Sequence, residues 1–199
     1  TTSGDGLNLL LYWLDKVYGE PGDEQAEYYG NYLRYLIHTH GINWEGYEVS
    51  PGIYGYNFTV DFTYYTNIDQ ENALTAEIEN VIESFGFESG TNDFKKIRKI
   101  YDYICGNIYY DNDNLNNDDY TLKFTAYAAL MDKTAVCQGY ATLLYRMMEE
   151  AGIDAKVVTG ISNGQNHAWN IVELKYVSLL RESGQIFCVY LLSMLLLKK

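Results

Sequence analysis

A cysteine and a histidine thirty residues apart, Cys137 and His167, carry the chemistry this sequence can offer. Cys137 falls at the start of a segment with helical spacing, in which Ala141, Leu144, Tyr145 and Met148 share one face and Gly152 reads as the stop. A thiol placed there meets the positive end of a helix macrodipole and free backbone N–H groups, which favour a thiolate. The same N–H groups can hold the oxyanion that forms when a thiolate attacks a carbonyl. His167 opens NHAWNIVEL (166–174), which with AKVVTGIS (155–162) flanks the turn residues Asn163 and Gly164. Two antiparallel strands leading out of the cysteine helix can bring the imidazole onto the thiol, giving a nucleophile–base pair. On residue type and spacing alone, a cysteine and a histidine that share a domain by chance fit as well.

The elements that must position this pair are legible in outline. Residues 7–18 and 24–40 carry helical patterns, separated by the breaker GEPGD (19–23). His38 and His40 fall near the end of the second helix on different faces, which suits capping or surface roles better than chelation. Residues 44–55 read as a loop or irregular strand. Tyr54, Tyr56, Phe58, Val60, Phe62 and Tyr64 then alternate as one face of a strand. Helical spacing returns over residues 69–85, and again from an expected N-cap at Asp93, with Phe94, Ile97, Ile100, Tyr101, Ile104 and Ile108 as the apolar stripe. Cys105, beside that stripe, reads as a small buried hydrophobe. The loop DNDNLNNDD (111–119) looks like a calcium loop but lacks the central glycine, and Leu122 stands where a bidentate glutamate belongs. It reads as a solvated acidic loop.

A chain of 199 residues suits one well-packed domain with a small additional layer. Its formal net charge of −13 argues against nucleic acid or an anionic membrane as partner, since both demand concentrated Lys and Arg. Twenty-one tyrosines give large contact areas with one wet end, as in binding or extracellular proteins. The three cysteines, Cys105, Cys137 and Cys188, form no disulfide framework and match no zinc-ligand spacing. The longest apolar run, residues 186–197, is too short to span a bilayer. The opening TTSGDG reads like a chain already cut or cloned without a leader.

AVCQGYATLLYRMMEEAGIDAKVVTG (135–160) followed by NHAWNIVEL resembles the core of the transglutaminase-like superfamily in its bacterial form, as do IRKIYDYICGNIYYD (97–111) and FTAYAALMDKTAVC (124–137). The resemblance covers residues 94–174 well and 54–85 more loosely. It implies an α+β, papain-like core in which the cysteine helix packs on an antiparallel sheet, preceded by an N-terminal helical and strand extension. The corresponding division is residues 1–66 for the extension and 67–199 for the core. The resemblance also implies Cys137 as nucleophile and His167 as general base and later acid. Tyr127, Gln138 and Trp169 are the candidates for the substrate and oxyanion side. Tyr127 either lines the oxyanion site or packs as a helix aromatic. Trp169 shares a strand face with His167 and either shields the imidazole or belongs to the core. Protein or peptide substrates, cleavage rather than cross-linking, no metal or organic cofactor, and a secreted or cell-surface bacterial location follow as expectations from the same resemblance.

Where the family places an aspartate on the next strand, this chain departs from the pattern, because no aspartate follows Asp154. Glu182, fifteen residues beyond His167, is the candidate third member, although LRESGQ (180–185) looks like a turn. An asparagine or a backbone carbonyl could orient the imidazole instead. The alternative to an enzyme is a binding or scaffolding module that kept this fold and lost turnover.

Overall fold

A computed structural model describes residues 32–174 and 187–191. The chain divides into two compact units, with the boundary between Tyr65 and Thr66.

In the first unit, residues 32–36 are helical and the chain then enters strand β1, Ile37–Ser50, paired antiparallel with β2, Ile53–Tyr64. The helix expected to reach residue 40 therefore ends at Leu36, and of the two readings of residues 44–55 the strand is the one that forms, as the ends of β1 and β2 and their turn. The cause lies in the partner strand. The period-two run expected at 54–64 forms as a strand and needs a ladder on its edge, and the β-branched Ile37, Thr39 and Ile42 satisfy it. Thr39 and Thr63 join across the ladder by a side-chain hydrogen bond of 2.6 Å. Gly52, at φ 78°, supplies the left-handed residue of the turn. His38 stacks on Tyr65 at 4.7 Å and His40 pairs opposite Phe62, so both belong to the strand rather than to a helix end.

The second unit carries three helices and the sheet. Helix α1, Ile68–Ser84, starts with a capping box in which Asn67 and Gln70 exchange side-chain-to-backbone bonds, and it buries Leu74, Ile78 and Val81. Helix α2, Asp93–Asn107, buries Ile97, Ile100 and Ile104. Its cap is Asn92, whose side chain accepts from Lys95 N, rather than Asp93, and Phe94 is 64% exposed, outside the stripe. Cys105 is half-buried rather than core, with its thiol beside the Tyr101 hydroxyl. A two-residue parallel bridge follows between β3, Tyr109–Tyr110, and β4, Thr134–Ala135. Between these strands lie a 3-10 turn, Thr121–Phe124, and a π-helix, Ala128–Asp132, closed by Lys133 at φ 60°.

Helix α3, Cys137–Glu150, is the centre of this unit. It buries residues all round, including Ala141, Leu143, Leu144, Tyr145, Met147 and Met148, and it packs on α1, α2 and the sheet. Gly152 at φ 72° ends it, as the sequence suggested. The sheet runs in the order β5–β6–β7, all antiparallel: β5 is Ala155–Ser162, β6 Gln165–Leu174 and β7 Phe187–Leu191. Asn163 and Gly164, both at positive φ, form the two-residue turn that suits a right-twisted hairpin. The molecule is thus α+β, with the cysteine-bearing helix against an antiparallel sheet. Among the described residues no helix is long and apolar enough to cross a membrane.

Candidate functional site

Cys137 is the first residue of α3, and it is half-buried. Val136 provides no side-chain cap, so the first-turn amides are left to whatever lies beyond the helix end. Gly139 explains how the helix start sits so deep. A Cβ there would stand 2.6 Å from Ala135 Cβ, 2.8 Å from Thr125 O and 3.0 Å from Lys123 O. The missing side chain thus admits a neighbouring stretch of the same chain, not a substrate.

His167 lies on β6 opposite Gly160 of β5. Cys137, Gln138 and His167 line one cleft of about 390 Å³, together with Phe124, Thr159, Gly160, Asn166 and Ala168. Burial lowers the His167 pKa, so the imidazole is neutral near pH 7 and free to take a proton. Trp169 meets the His167 ring edge-on, with centroids 4.8 Å apart. Gly160 makes room for that contact, because a Cβ on it would reach within 3.1 Å of the indole. Asn170, the fourth residue of HAWN, is 5% exposed and donates from Nδ2 to Ala141 O at 2.8 Å. It ties the histidine strand directly to the cysteine helix, a role the sequence reading did not assign.

Of the remaining candidates, Gln138 lines the cleft, whereas Tyr127 is half-buried just before the π-helix and does not line it. The tyrosine that faces Cys137 is Tyr110. Burial raises its pKa, the nearby Cys137 charge adds to the rise, and the Cys137 backbone amide opposes it. The hydroxyl therefore remains protonated at neutral pH and lies beside both the thiol and the first helical N–H. Tyr140 stacks on Tyr110 with centroids 6.3 Å apart, and burial likewise pushes its phenol far up. The only sequence signal for Tyr110 was its place just after the stop of α2, and nothing in the pattern separated it from Tyr109.

Glu182 lies outside the described residues. The described part of β7 reads FCVYL and carries no carboxylate, and its pairing with β6 reaches only to Asn170. Among the described residues no hydrogen bond or ion pair to the imidazole is found. Nor, among those residues, do three or more His, Cys, Asp or Glu side chains converge on a point that could hold a metal ion.

Parts of this chain are similar to known proteins. Residues 84–179 match the family described as the transglutaminase-like superfamily. That segment belongs to the superfamily. A curated relative, kyphoscoliosis peptidase of Mus musculus, is 30% identical over 108 residues, 48% of this chain. The matched region spans only 16% of the mouse protein's length. Two solved structures are similar. One is a TGase, 22% identical with a TM-score of 0.47 over 67% of this chain and 42% of that one. The other is a candidate cysteine protease from Cytophaga hutchinsonii, 15% identical with a TM-score of 0.42 over 77% of this chain and 65% of that one. The transglutaminase-like segment contains both cleft residues, Cys137 and His167, on the helix and the strand described above.

Proposed function

We propose that this transglutaminase-like domain performs thiol-dependent acyl chemistry on the carbonyl of a peptide bond or carboxamide. The observation that carries the reading is the shared cleft, with Cys137 at the start of α3 and a neutral His167 on the facing strand. His167 takes the thiol proton as sulfur adds to the carbonyl carbon. The oxyanion develops at the start of α3 beside the Cys137 N–H, which donates to the Tyr110 hydroxyl oxygen until the substrate oxygen takes its place. Collapse breaks the C–N bond and the imidazolium gives its proton to the leaving amine. The resulting thioester is resolved by water, returning the free thiol. Hydrolysis is preferred over transfer to an amine, and the name of the mouse relative, a peptidase, supports that choice. The substrate is a protein or peptide.

The test is the rate of Cys137 alkylation by iodoacetamide from pH 5 to 9. A reactive pair gives a fast rate at pH 6 that collapses in His167→Ala. An ordinary thiol profile, unchanged by that substitution, overturns the proposal. One observation favours a second reading, a binding module without turnover: no aspartate follows Asp154 in the sequence. That reading expects peptide binding with neither fast alkylation nor any released amine.

A further inference from the structure

Lys123 is a buried cation that the chemistry above does not use. It is 1% exposed, and its ammonium donates to the main-chain carbonyls of Asn114 at 2.7 Å, Leu115 at 3.2 Å and Asn117 at 2.7 Å. An ammonium has three N–H donors and no acceptor, so these three carbonyls satisfy it completely. The loop 111–119 was expected to be solvated. Its acidic side chains other than Asp111 do face water, but its carbonyls turn inward and gather on Lys123, as a metal loop gathers carbonyls on its ion.

The two ends of this residue meet the two walls of the thiol site. Through its ammonium, Lys123 holds the loop that begins immediately after Tyr110. At the head of that loop Asp111 is 5% exposed, donates from its N–H to Ala135 O at 3.0 Å, and accepts from Asn114 N and Nδ2. Through its own carbonyl, Lys123 accepts the N–H of Val136, the residue that caps α3, at 3.0 Å. That same carbonyl abuts Gly139. Its neighbour Phe124 lines the cleft, and the ammonium sits 5.0 Å from that ring centroid.

We infer that Lys123 is a positioning residue for the thiol site, an internal ammonium that fixes the Tyr110 hydroxyl and the start of the Cys137 helix relative to each other. The inference rests on the reading of Cys137 as the reacting thiol. Two substitutions test it. Lys123→Met keeps the length of the stem and removes the shared donor of three part-buried carbonyls. Lys123→Arg keeps the charge but cannot bring one nitrogen to all three carbonyls. Both are expected to raise amide hydrogen exchange across residues 112–120 and to slow Cys137 alkylation at pH 7 by about tenfold, since small misplacements of reacting groups are costly. Both should also shift the pH profile of that alkylation. The penalty of Tyr110→Phe on substrate turnover should shrink in either background, because the hydroxyl is already displaced.

A lysine that only stabilises the fold would lower the melting temperature while leaving the pH profile of the folded protein unchanged and the Tyr110 penalty additive. That result overturns the inference. Should Lys123→Met fail to fold, Lys123→Arg carries the same comparison. If wild-type Cys137 alkylates as an ordinary cysteine, the thiol reading falls. The exchange measurement then stands alone, and unchanged protection of residues 112–120 in the variants refutes the holding role of Lys123.

Discussion

The start of α3 is packed so closely that a single methyl group should disturb it, and a second glycine provides the control. In Gly139→Ala the new Cβ meets Ala135 Cβ at 2.6 Å, Thr125 O at 2.8 Å and Lys123 O at 3.0 Å. Two of these atoms are backbone oxygens and the third is a methyl on β4, so no flexible side chain can swing aside. Overpacking of this kind costs about 1–3 kcal/mol, and rigid neighbours on three sides place it near the top of that range. Alanine regains about 1 kcal/mol of helix propensity over glycine. The net expectation is a loss of about 2 kcal/mol, which at a urea slope of about 2 kcal/mol/M lowers the midpoint by about 1 M. Gly106, near the end of α2, has nothing within 4 Å of an added Cβ. There the same substitution should gain about 0.5–1 kcal/mol and raise the midpoint. Urea titrations followed by circular dichroism compare the two. A Gly139→Ala midpoint at or above that of wild type, or equal effects at both sites, would refute the packing argument.

Asn170→Ala removes the buried donor to Ala141 O and should cost about 2 kcal/mol by urea titration, with a further drop in Cys137 alkylation rate as β6 loosens from α3; unchanged alkylation would deny the strand–helix tie a part in the site. Gly160→Ala puts a Cβ within 3.1 Å of the Trp169 ring end, which is able to move, so stability should change by under about 1 kcal/mol while the ring is displaced from His167. A loss of turnover without a loss of melting temperature is the expected pair, read from both assays. Glu149→Gln should stabilise the protein at neutral pH. Burial raises the Glu149 pKa, with nearby Asp154 adding to the rise, while the Ala155 N–H lowers it. A raised carboxyl favours the folded state below the unfolded value of 4.5, and that advantage disappears as pH climbs through the folded value. The melting-temperature difference between variant and wild type should therefore open above pH 4.5 and close below it; a constant difference from pH 4 to 8 would contradict the assignment.

What was legible in the sequence was local. The helix that starts at Cys137 and stops at Gly152, the Asn163–Gly164 turn and the histidine strand all announce themselves within a few residues, and the structure forms each of them. Reading failed where a distant partner decided. Residues 37–40 continue a helical pattern, yet the ladder offered by β2 turns them into strand. The acidic loop 111–119 is solvated as expected, but nothing in its pattern shows that three of its carbonyls turn inward to Lys123. Tyr110 and Asn170 reach the site by a two-residue parallel bridge and a side-chain bond spanning 29 positions, neither of which has a pattern in the chain.

The same distinction bears on how His167 is held. In a hydrolytic triad the acid fixes the tautomer and orientation of the imidazole, and disabling it in a serine protease costs about 10⁴-fold in turnover. Part of that service is geometric, and geometry can come from packing. Here the Trp169 ring lies against one edge of the imidazole, Gly160 leaves that ring its place, and Asn170 pins the strand to the helix that bears Cys137. These contacts set where the ring sits. They do not select which nitrogen carries the proton, since neither an indole edge nor a bare glycine discriminates between tautomers. A site held this way should keep the first proton transfer, from a thiol in the same cleft, better than the second. Donation to a leaving amine needs the charged imidazolium to persist, and burial disfavours that charge at His167. Under the proposed acyl chemistry acylation is the slow step, so initial rates on matched substrates should show aryl amides cleaved far faster than ordinary peptides; equal rates would contradict this.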